Sequence, residues 1–484
     1  MTAPTTIDRS RDLSQPLDRL GPDERMKDKS DYLRGTIALG LLDRITGAMP
    51  SGDDVKLMKF HGIYQQDDRD VRDERRRQKL EPAYQFMIRV RIPGGVCTPA
   101  QWLKLDELAR AHGGETLRIT TRQTFQFHWV LKGSLRPLIQ SLHETLLDTV
   151  AACGDDSRGV MCTVDPQSSA LHAEVAALAK RVSDHVIPKT RAYHEIWYGD
   201  TRVAGSPGQE EPFYGRTYMP RKFKIGFALP PSNDIDVYAQ DLGFIAIGGP
   251  GGLEGFNVVI GGSMGRTDGA PHTYPRLASL IGYVPADRVF ACADATMTVQ
   301  RDYGDRKDRQ HARFKYTIDD KGLDWIKSEI ERHMGAPFEP ARPFSFTSNG
   351  DSFGWIETPD GRWHRTLFIE NGRLNVTRLD ALRAVARVHR GTFRMTPNQN
   401  VIIAGVAAED RAGIDAILAE HGVAQGEVTP LRRNAIACVA LPTCGLAMAE
   451  SERYLPHLIT RLEAILASHG LQDEPITIRM TGCP

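Results

Sequence analysis

The chain has 484 residues, of which 41% are hydrophobic and 25% charged, with 61 basic and 61 acidic side chains. A chain of this length is too long for one hydrophobic core and favours about three domains. The balanced charge argues against a nucleic-acid-binding protein, so any electrostatic function must lie in local clusters of charge.

The sequence predicts a cytoplasmic protein with no membrane partner. The N-terminal stretch MTAPTTIDRSRDLSQ has no apolar core and is not a secretory signal. No apolar run reaches the roughly 18 residues that a membrane-spanning helix needs. Seven cysteines in a chain this long do not form a disulfide framework, and they fit a reducing compartment.

The N-terminal part of the chain is polar. Residues 1–25 are predicted to form a mobile arm. Helical periodicity begins near Ser30 and runs through YLRGTIALGLLDRI. The charged stretch Tyr64–Pro82 is typical of a solvated face or extended arm, and the alternative is that it wraps another part of the protein.

An internal repeat organises the rest of the chain. The sequences LDELARAHGG and LRITTRQTFQFHWV (105–114 and 117–130) return as LRAVARVHRG and FRMTPNQNVIIAGV (382–391 and 393–406). Each copy predicts an amphipathic helix, a short turn and one strand that starts with a polar cluster, and a second helix follows. A duplication around a pseudo-twofold axis would bring the two polar clusters close together.

The segment between the copies predicts a mixed sheet with flanking helices, and the fold class is therefore α+β or mixed α/β. It contains a helix (LHAEVAALAKRVSDHVI), a strand that opens with cations (PRKFKIGFAL) and a strand that runs into a glycine-rich loop (NVVIGGSMGRTDG). That loop lacks the dinucleotide-binding spacing, so it is either a plain turn or a close approach to a flat cofactor. His61, His128 and His311 are interpreted as structural histidines. After the second copy, a helix from Cys444 to Gly470 and a strand at ITIRM are predicted.

Three cysteines lie near the C-terminal end: Cys438, Cys444 and Cys483. Thiolates favour iron–sulfur clusters and zinc, so the three residues are candidate ligands of a soft metal centre. Two alternatives remain open. They are three ordinary buried cysteines, or they form a structural zinc site with one further ligand.

Basic side chains recur at or near predicted strand starts, where the backbone can aim them into a cleft. In the sequence Lys222-Phe223-Lys224, strand alternation places both ammonium groups on one face, where they repel each other unless an anion is bound. Alone, this pair is equally typical of a surface. Together, the basic clusters suggest a polyanionic cofactor and a small oxyanion substrate. They comprise Arg89, Arg91, Arg118, Arg122, Arg158, Arg221, Lys222 and Lys224.

Seven ordered motifs resemble the sirohaem-dependent sulfite and nitrite reductases. They are HGIYQQDDRDVR, FMIRVRIPGG, LRITTRQTFQFH, YMPRKFK, NDIDVYAQDLGFIAI, FRMTPNQNVIIAG and ACVALPTCGLAMAE. The resemblance covers residues 25–484 and implies duplicated ferredoxin-like half-domains together with mixed α/β sirohaem-binding domains, the last of them incomplete. The implied domains are an N-terminal arm and wrapping segment (1–80), the two half-domains (81–150 with 346–430), a first sirohaem and Fe–S domain (151–345) and a truncated second one (431–484).

The resemblance also implies the cofactors: a sirohaem coupled through a shared cysteine sulfur to a [4Fe–4S] cluster. The family's ligand pattern is Cys-x5-Cys followed by Cys-x3-Cys. Cys438, Cys444 and Cys483 match the first three positions, and the fourth would fall three residues past Pro484. The resemblance therefore implies a C-terminally truncated sequence, and we expect that the chain as written does not assemble the coupled centre stably.

The remaining roles follow position by position from the same resemblance. Arg89, Arg158, Lys222 and Lys224 match residues that surround the substrate anion, and Arg118, Arg122, Arg221 and Arg313 match residues that hold the sirohaem carboxylates, although Arg313 replaces a lysine of the family. The implied activity is the six-electron reduction of sulfite to sulfide. Nitrite reduction to ammonia and an inactive fragment remain alternatives, and the electron donor is either an NADPH-dependent flavoprotein or ferredoxin.

Overall fold

The computed structural model describes residues 7–164, 170–189, 196–199, 201–204, 211–423 and 428–483. Its first helices are α1 (Pro22–Lys29), α2 (Ile37–Leu42) and α3 (Gly52–Leu57). None of the helices in this described part of the chain combines the length and the apolar character needed to cross a bilayer.

The predicted mobile arm is wrong for the described residues from 7 onward. Arg11 forms an ion pair with Asp305 at 2.5 Å, and the Gly21 amide donates to the Arg306 carbonyl at 2.8 Å. These partners are distant in sequence, so no local pattern indicated the packing. The helix predicted from Ser30 is also shorter than expected, because residues 31–33 have positive φ angles that a right-handed helix cannot include.

Two five-stranded sheets form the duplicated core. The first has the order β1 (Ile63–Asp67), β2 (Tyr84–Arg89), β5 (Phe125–Val130), β4 (Leu117–Ile119) and β15 (Arg373–Leu374). The second has the order β13 (Gly354–Glu357), β14 (Trp363–Leu367), β17 (Val401–Val406), β16 (Thr392–Met395) and β3 (Val96–Cys97). Each half thus lends one short strand to the sheet of the other.

Corresponding helices pack on the two sheets. In the first half they are α5 (Pro99–His112) and α6 (Leu135–His143), and in the second half α11 (Val376–Val388) and α12 (Arg411–Glu420). A side-chain cap starts the long helix of each copy: Thr98 accepts from the Gln101 amide and Asn375 from the Arg378 amide. Apolar side chains from both halves share one core cluster.

The repeat is confirmed, with one correction. Each copy contains two strands rather than one, because the polar cluster forms a turn that reverses the chain between β4 and β5 and between β16 and β17. The expected closeness of the two clusters is also confirmed. Gln123 Nε2 donates to the Met395 carbonyl of the other half at 3.3 Å, and Gln399 Nε2 donates to the Ile119 carbonyl at 3.0 Å.

A third sheet of mixed direction lies between the copies in the sequence. Its order is β12 (Ser279–Pro285), β11 (Gly252–Ile260), β10 (Leu242–Gly249), β9 (Ile225–Ala228) and β6 (Met161–Cys162). The helices of this region are α7 (Ala170–His185), α8 (Val289–Tyr303), α9 (Phe314–Lys321) and α10 (Leu323–Met334). The glycine-rich loop after β11 is held by Lys315, whose Nζ donates to the Gly265 carbonyl at 2.7 Å.

The remaining elements are short. The described chain has a separate hairpin of β7 (Ile196–Tyr198) and β8 (Thr201–Ala204), a short helix α4 (Arg72–Arg77), and the C-terminal elements α13 (Pro430–Arg433), β18 (Ala435–Ala437), α14 (Leu455–Ser468) and β19 (Ile478–Met480). The helix predicted from Cys444 begins only at Leu455, where Pro456 occupies the first turn. The predicted strand at ITIRM pairs with β18 in parallel.

Candidate active site and cofactor cradle

Seven of the predicted site residues form one group of cations, which we call the cationic pocket: Arg89, Arg122, Arg158, Arg221, Lys222, Lys224 and Arg313. They come from different parts of the chain. Arg89 ends β2, Arg122 lies in the turn after β4, and Lys222 and Lys224 precede β9. Their mutual electrostatic effects link them, since Arg313, Arg158 and Arg221 all lower the pKa of Lys222. The sequence analysis named each of these residues as a candidate, but it did not predict that all seven lie in one pocket.

The two lysines face the pocket together because the backbone around them is extended. The Phe223 amide donates to the Asp156 carbonyl at 2.9 Å, and the Arg158 amide donates to the Phe223 carbonyl at 2.8 Å. The Phe223 ring is buried in the hydrophobic core, so its two neighbours point the other way. This pairing also fixes Arg158 beside the lysines.

Neither lysine ammonium has an ion-pair partner among the residues that the structure describes. Burial, and then the charge of Arg313, lower the pKa of Lys222 to about 6 and that of Lys224 to about 7. An anion placed between the two ammonium groups would reverse these shifts, because opposite charge favours the protonated form. The pocket is therefore built to receive negative charge.

Hydrogen bonds to other parts of the protein fix two arginines of the pocket, Arg122 and Arg313. Arg122 donates to the Gln240 side chain at 3.0 Å and to the Gly159 carbonyl at 2.7 Å. Asp241 accepts from Arg313 Nη2 at 2.9 Å and also from the Lys224 amide at 2.9 Å. The sequence reasoning missed Gln240 and Asp241, although both lie in the quoted motif NDIDVYAQDLGFIAI.

Asp155 supports the outer side of the pocket. Its carboxylate receives both Nη groups of Arg309, at 2.7 and 2.9 Å, and lies 3.9 Å from Arg221. The buried Lys27 of α1 is 3.7 Å away. These charges keep the pKa of Asp155 well below its usual range despite its burial. Nothing in the local sequence singled out this aspartate.

Arg89 lies beside a thiol that the sequence reasoning also missed. Its Nη1 donates to Cys153 Sγ at 3.0 Å. Burial, and then the neighbouring Cys153 thiol, raise the pKa of Tyr64. Arg158 completes the wall, donating to the Ala152 carbonyl at 3.1 Å.

Arg118 does not belong to the cationic pocket. Its Nε donates to Glu452 at 2.9 Å, and its Nη2 donates to the Ala437 carbonyl at 2.7 Å, one residue before Cys438. Arg373, directly opposite on β15, donates to the same Glu452 at 2.6 Å. The Glu452 amide donates to the Cys438 carbonyl at 3.1 Å. Glu452 therefore joins the first sheet to the cysteine segment.

The three cysteines lie near one another at the protein surface. Cys438 Sγ accepts from the Gly482 amide at 3.3 Å, and Cys444 and Cys438 add to the effect of burial in raising the pKa of Cys483. Cys438 and Cys444 are half-buried and Cys483 is exposed, so the alternative of three ordinary buried cysteines does not hold for Cys483. Within the described chain no group of three Cys, His, Asp or Glu side chains is arranged to hold a metal ion.

The charged stretch after β1 holds the cysteine segment in place. Arg69 Nη1 donates to the Cys444 carbonyl at 3.2 Å and to the Ala447 carbonyl, and its amide donates to the Pro442 carbonyl at 3.2 Å. Asp70 forms an ion pair with Arg453 at 2.5 Å. The wrapping interpretation of this stretch is thus the correct one for these two residues.

Buried polar atoms without partners test whether a polyanionic group fits here. Among the described residues, the Nε atoms of Arg89, Arg122 and Arg313 are buried and make no hydrogen bond. Such N–H groups are costly unless an acceptor is present, and guanidinium groups match carboxylates well. A cofactor with several carboxylates satisfies both requirements, so the residues present fit it.

Two family models match the chain. Residues 178–338 match the nitrite and sulphite reductase 4Fe-4S domain, and residues 77–145 and 356–421 match the nitrite/sulfite reductase ferredoxin-like half domain. The second match falls on both copies of the repeat.

Full-length relatives are similar over the whole chain. The chain is 70% identical to the sulfite reductase [NADPH] hemoprotein beta-component of Nitrosomonas europaea, over 100% of this chain and 84% of the relative. It is 57% identical to the protein of the same name from Geobacillus kaustophilus, over 95% of this chain and 82% of the relative. The solved structure of the Mycobacterium tuberculosis NirA protein has the same fold, with a TM-score of 0.78 at 23% identity over 97% of this chain and 82% of that chain.

Proposed function

The chain belongs to the nitrite and sulphite reductase family, and on that premise we propose that it is a haemoprotein that reduces sulfite to sulfide. Its cofactors are a sirohaem and a [4Fe–4S] cluster, which would pass to the substrate the six electrons that an external donor supplies. The observation that carries the proposal is the pair of buried lysines, Lys222 and Lys224, whose ammonium groups have no ion-pair partner among the described residues and lie among the arginines of the cationic pocket.

Four residues are proposed to surround the substrate: Arg89, Arg158, Lys222 and Lys224. Sulfite is an anion, and its reduction consumes several protons as its oxygens leave as water. Burial lowers the pKa values of the two lysines, so their ammonium groups can release protons near neutral pH. The two guanidinium groups stay charged and stabilise negative charge on the oxygens.

Four arginines are proposed to hold the sirohaem carboxylates: Arg118, Arg122, Arg221 and Arg313. The buried, unpartnered Nε atoms of Arg122 and Arg313 support this role. Arg221 is only loosely paired with Asp155, at 3.9 Å, and keeps donors available. Arg118 has the weakest support, since Glu452 and the Ala437 carbonyl already occupy its guanidinium.

Cys438, Cys444 and Cys483 are proposed as cluster ligands. Their mutual closeness and the preference of thiolates for iron–sulfur centres support this assignment. Arg69 and Glu452 would orient the segment that carries the first two thiols.

The electron donor is proposed to be an NADPH-dependent flavoprotein. The support is the name of the similar proteins, each a hemoprotein component of an NADPH-linked sulfite reductase. Reduction of the haemoprotein by a flavoprotein of this type, and a much slower reduction by ferredoxin, is the expected result. Cytoplasmic location remains a prediction from the sequence.

Steady-state turnover of a full-length, cofactor-loaded version of the protein with sulfite and with nitrite tests the proposed reaction. We expect a higher kcat/KM for sulfite. A much higher kcat/KM for nitrite would assign the same pocket to nitrite reduction, and no turnover with either anion would contradict the proposal.

A further inference from the structure

Helix α1 carries a lysine that is fully buried. The side chain of Lys27 has no exposed surface, and its Nζ atom lies 2.6 Å from Glu24 Oε1, one turn earlier on the same helix. A pair at this spacing normally lies on the surface of a helix and stabilises it only slightly. Here these charged side chains point into the protein, which the polar sequence of this region did not predict.

Lys27 bridges two distant segments of the chain. Its Nζ atom donates to the Met219 carbonyl at 2.8 Å and lies 3.7 Å from Asp155 Oδ2. The same two residues are also joined directly, because the Met219 amide donates to the Asp155 carbonyl at 3.0 Å. The buried ammonium group therefore completes a contact between segment 155–158 and segment 219–224.

Both segments carry residues that are proposed to surround the substrate. Arg158 is the last residue of the first segment, and Lys222 and Lys224 lie at the end of the second. The Arg158 amide donates to the Phe223 carbonyl at 2.8 Å, so the two segments continue side by side into the cationic pocket. A displacement of either segment at Lys27 would therefore move the groups that contact the substrate.

The acids around Lys27 have other partners. Arg306 Nη1 also binds Glu24, and Asp155 accepts from both Nη groups of the arginine described above. In contrast, the described part of the chain has no other donor to the Met219 carbonyl. Removal of the ammonium group would thus leave the two carboxylates paired and release the segment that starts at Met219.

Stability alone does not account for this buried lysine. Taking an ammonium group out of water costs free energy, and apolar side chains can often replace buried ion pairs without loss of stability. Burial lowers the pKa of Lys27, and the charges of Glu24 and then Asp155 oppose this effect. A methionine of similar length would fill the space without that cost. The observations therefore favour a role for the ammonium group in the geometry of the pocket.

We propose that Lys27 is a positioning residue for the reaction. Its ammonium group holds the Met219 carbonyl and the Asp155 carboxylate together, and this contact sets the position of the two pocket lysines relative to Arg158. The inference rests on the proposed function, because it takes these three cations as groups that contact the substrate. Helix α1 is then required for turnover, although it contributes no residue to the cationic pocket.

The test compares Lys27→Met, Lys27→Arg and Asp28→Asn in a full-length, cofactor-loaded version of the protein. Asp28→Asn is the matched control. Asp28 lies on the same helix and accepts from Arg216 Nε at 2.9 Å, so it joins α1 to the same region of the chain, but at the surface. The readouts are kcat and KM for sulfite, the haem-to-protein ratio and the amide hydrogen exchange of residues 217–224.

Lys27→Met is expected to lower kcat roughly tenfold or more, because a small displacement of reacting groups has an effect of this size. KM should change much less, since all the cations of the pocket remain, and the haem-to-protein ratio should stay the same. The amides of Met219, Phe223 and Lys224 are hydrogen-bonded in the wild type and should exchange roughly tenfold faster, while exchange in the second sheet is unchanged.

Lys27→Arg keeps the charge and the N–H donors and should recover most of kcat, and Asp28→Asn should behave like the wild type. Wild-type kcat and exchange in Lys27→Met would overturn the inference, as would an equal loss of kcat in Asp28→Asn or no recovery in a folded Lys27→Arg protein. Faster exchange throughout the molecule, or a Lys27→Met protein that does not fold, would assign Lys27 to general stability and also overturn it.

Failure of the proposed function is a separate result, because it appears as absent sulfite turnover in the wild type. The exchange of residues 217–224 does not depend on turnover, so in that case it alone decides whether Lys27 holds this segment in place.

Discussion

In the first copy of the repeat, β5 carries Gln126 and His128 on the face away from the core, and in the second copy β17 carries Ile402 and Ala404 at the same positions. The core faces of both strands are apolar and fully buried. Folding of each half-domain therefore depends on the core face of this strand, and the residues on the opposite face differ between the copies. In the first copy the opposite face is polar, whereas in the second copy it packs against Val164.

The turns differ in the same way. In the second copy, Asp351 accepts hydrogen bonds from the Thr396, Asn398 and Asn400 side chains at 2.6, 3.0 and 2.7 Å. In the first copy, Arg122 occupies the position of Asn398 and keeps a buried Nε without a partner. At this position the second turn thus has a side chain that is bonded to Asp351, whereas the first turn has one with a buried donor still available.

The largest expected effect is at the cationic pocket, to which the turn of the first copy contributes Arg122. Replacing Lys222 or Lys224 with Met should lower the turnover of sulfite at least about 100-fold, since a positioned proton donor contributes that much or more. Cofactor loading should change little. The measurement is kcat together with the haem-to-protein ratio, and Asn398→Ala in the second turn is the control. Equal losses of turnover and haem would assign the lysines to cofactor binding or folding.

A second change removes the acid that pairs with the arginines of the first sheet. Glu452→Gln leaves Arg118 and Arg373 without a carboxylate partner and their positive charge buried. In the second sheet, Arg394 at the position of Arg118 already has a buried Nε atom without a hydrogen-bond partner. The free energy of unfolding should fall by about 3 kcal/mol, measured by urea denaturation. Glu450→Gln, which removes an acid from a half-exposed pair with Arg453, is the control and should cost less than about 1 kcal/mol. Equal costs would show that the Glu452 pair contributes no more than a surface pair.

The reverse exchange tests the sealed face. Ala404→His would place an imidazole in the buried apolar cluster of Val164, Ile402 and Ala404. We expect the free energy of unfolding to fall by about 2 kcal/mol and the sirohaem content to stay at one per chain. Ala404→Val is the size control. A stable variant that binds additional haem would mean that the two faces are functionally equivalent.

The last expected effect is on the pH dependence of stability, in the cofactor-free protein. The pKa values of Lys222 and Lys224, about 6 and 7, lie below the value of about 10.4 for an unfolded lysine. Between these values the unfolded chain binds more protons, so the lysines make stability rise with pH from about 6 towards 10. Urea denaturation at pH 6 and pH 9 should show this rise, and the Lys222→Met/Lys224→Met protein should show less of it. An identical pH dependence in both proteins would contradict the predicted shifts.

The sequence was sufficient to predict the features that depend on local periodicity. Alternation and helical spacing revealed both copies, and the extended Lys222-Phe223-Lys224 segment followed from a period of two. The split of each predicted strand into two was missed because Gln123 and Gln399 adopt positive φ angles without a glycine. Pro397 in the second turn was the available signal of a chain reversal.

The supporting residues could not be predicted in the same way. Asp155, Asp241 and Glu452 are ordinary acids in the sequence, and each becomes important only because folding brings an arginine from a distant segment to it. Cys153 carries no spacing signal either, and it is distinguished only by its contact with Arg89. Long-range pairings of this kind depend on the completed fold.

The exchange of short strands between the two half-domains also has a consequence for biosynthesis. Until β15 has been synthesised, β4 is an edge strand of the first sheet. The ribosome makes β15 only after all the strands of the third sheet, which precede it in the sequence. During that interval the β4 edge has unpaired backbone groups that another nascent chain can bind. Chaperone protection of this edge during translation would therefore increase the yield of folded protein.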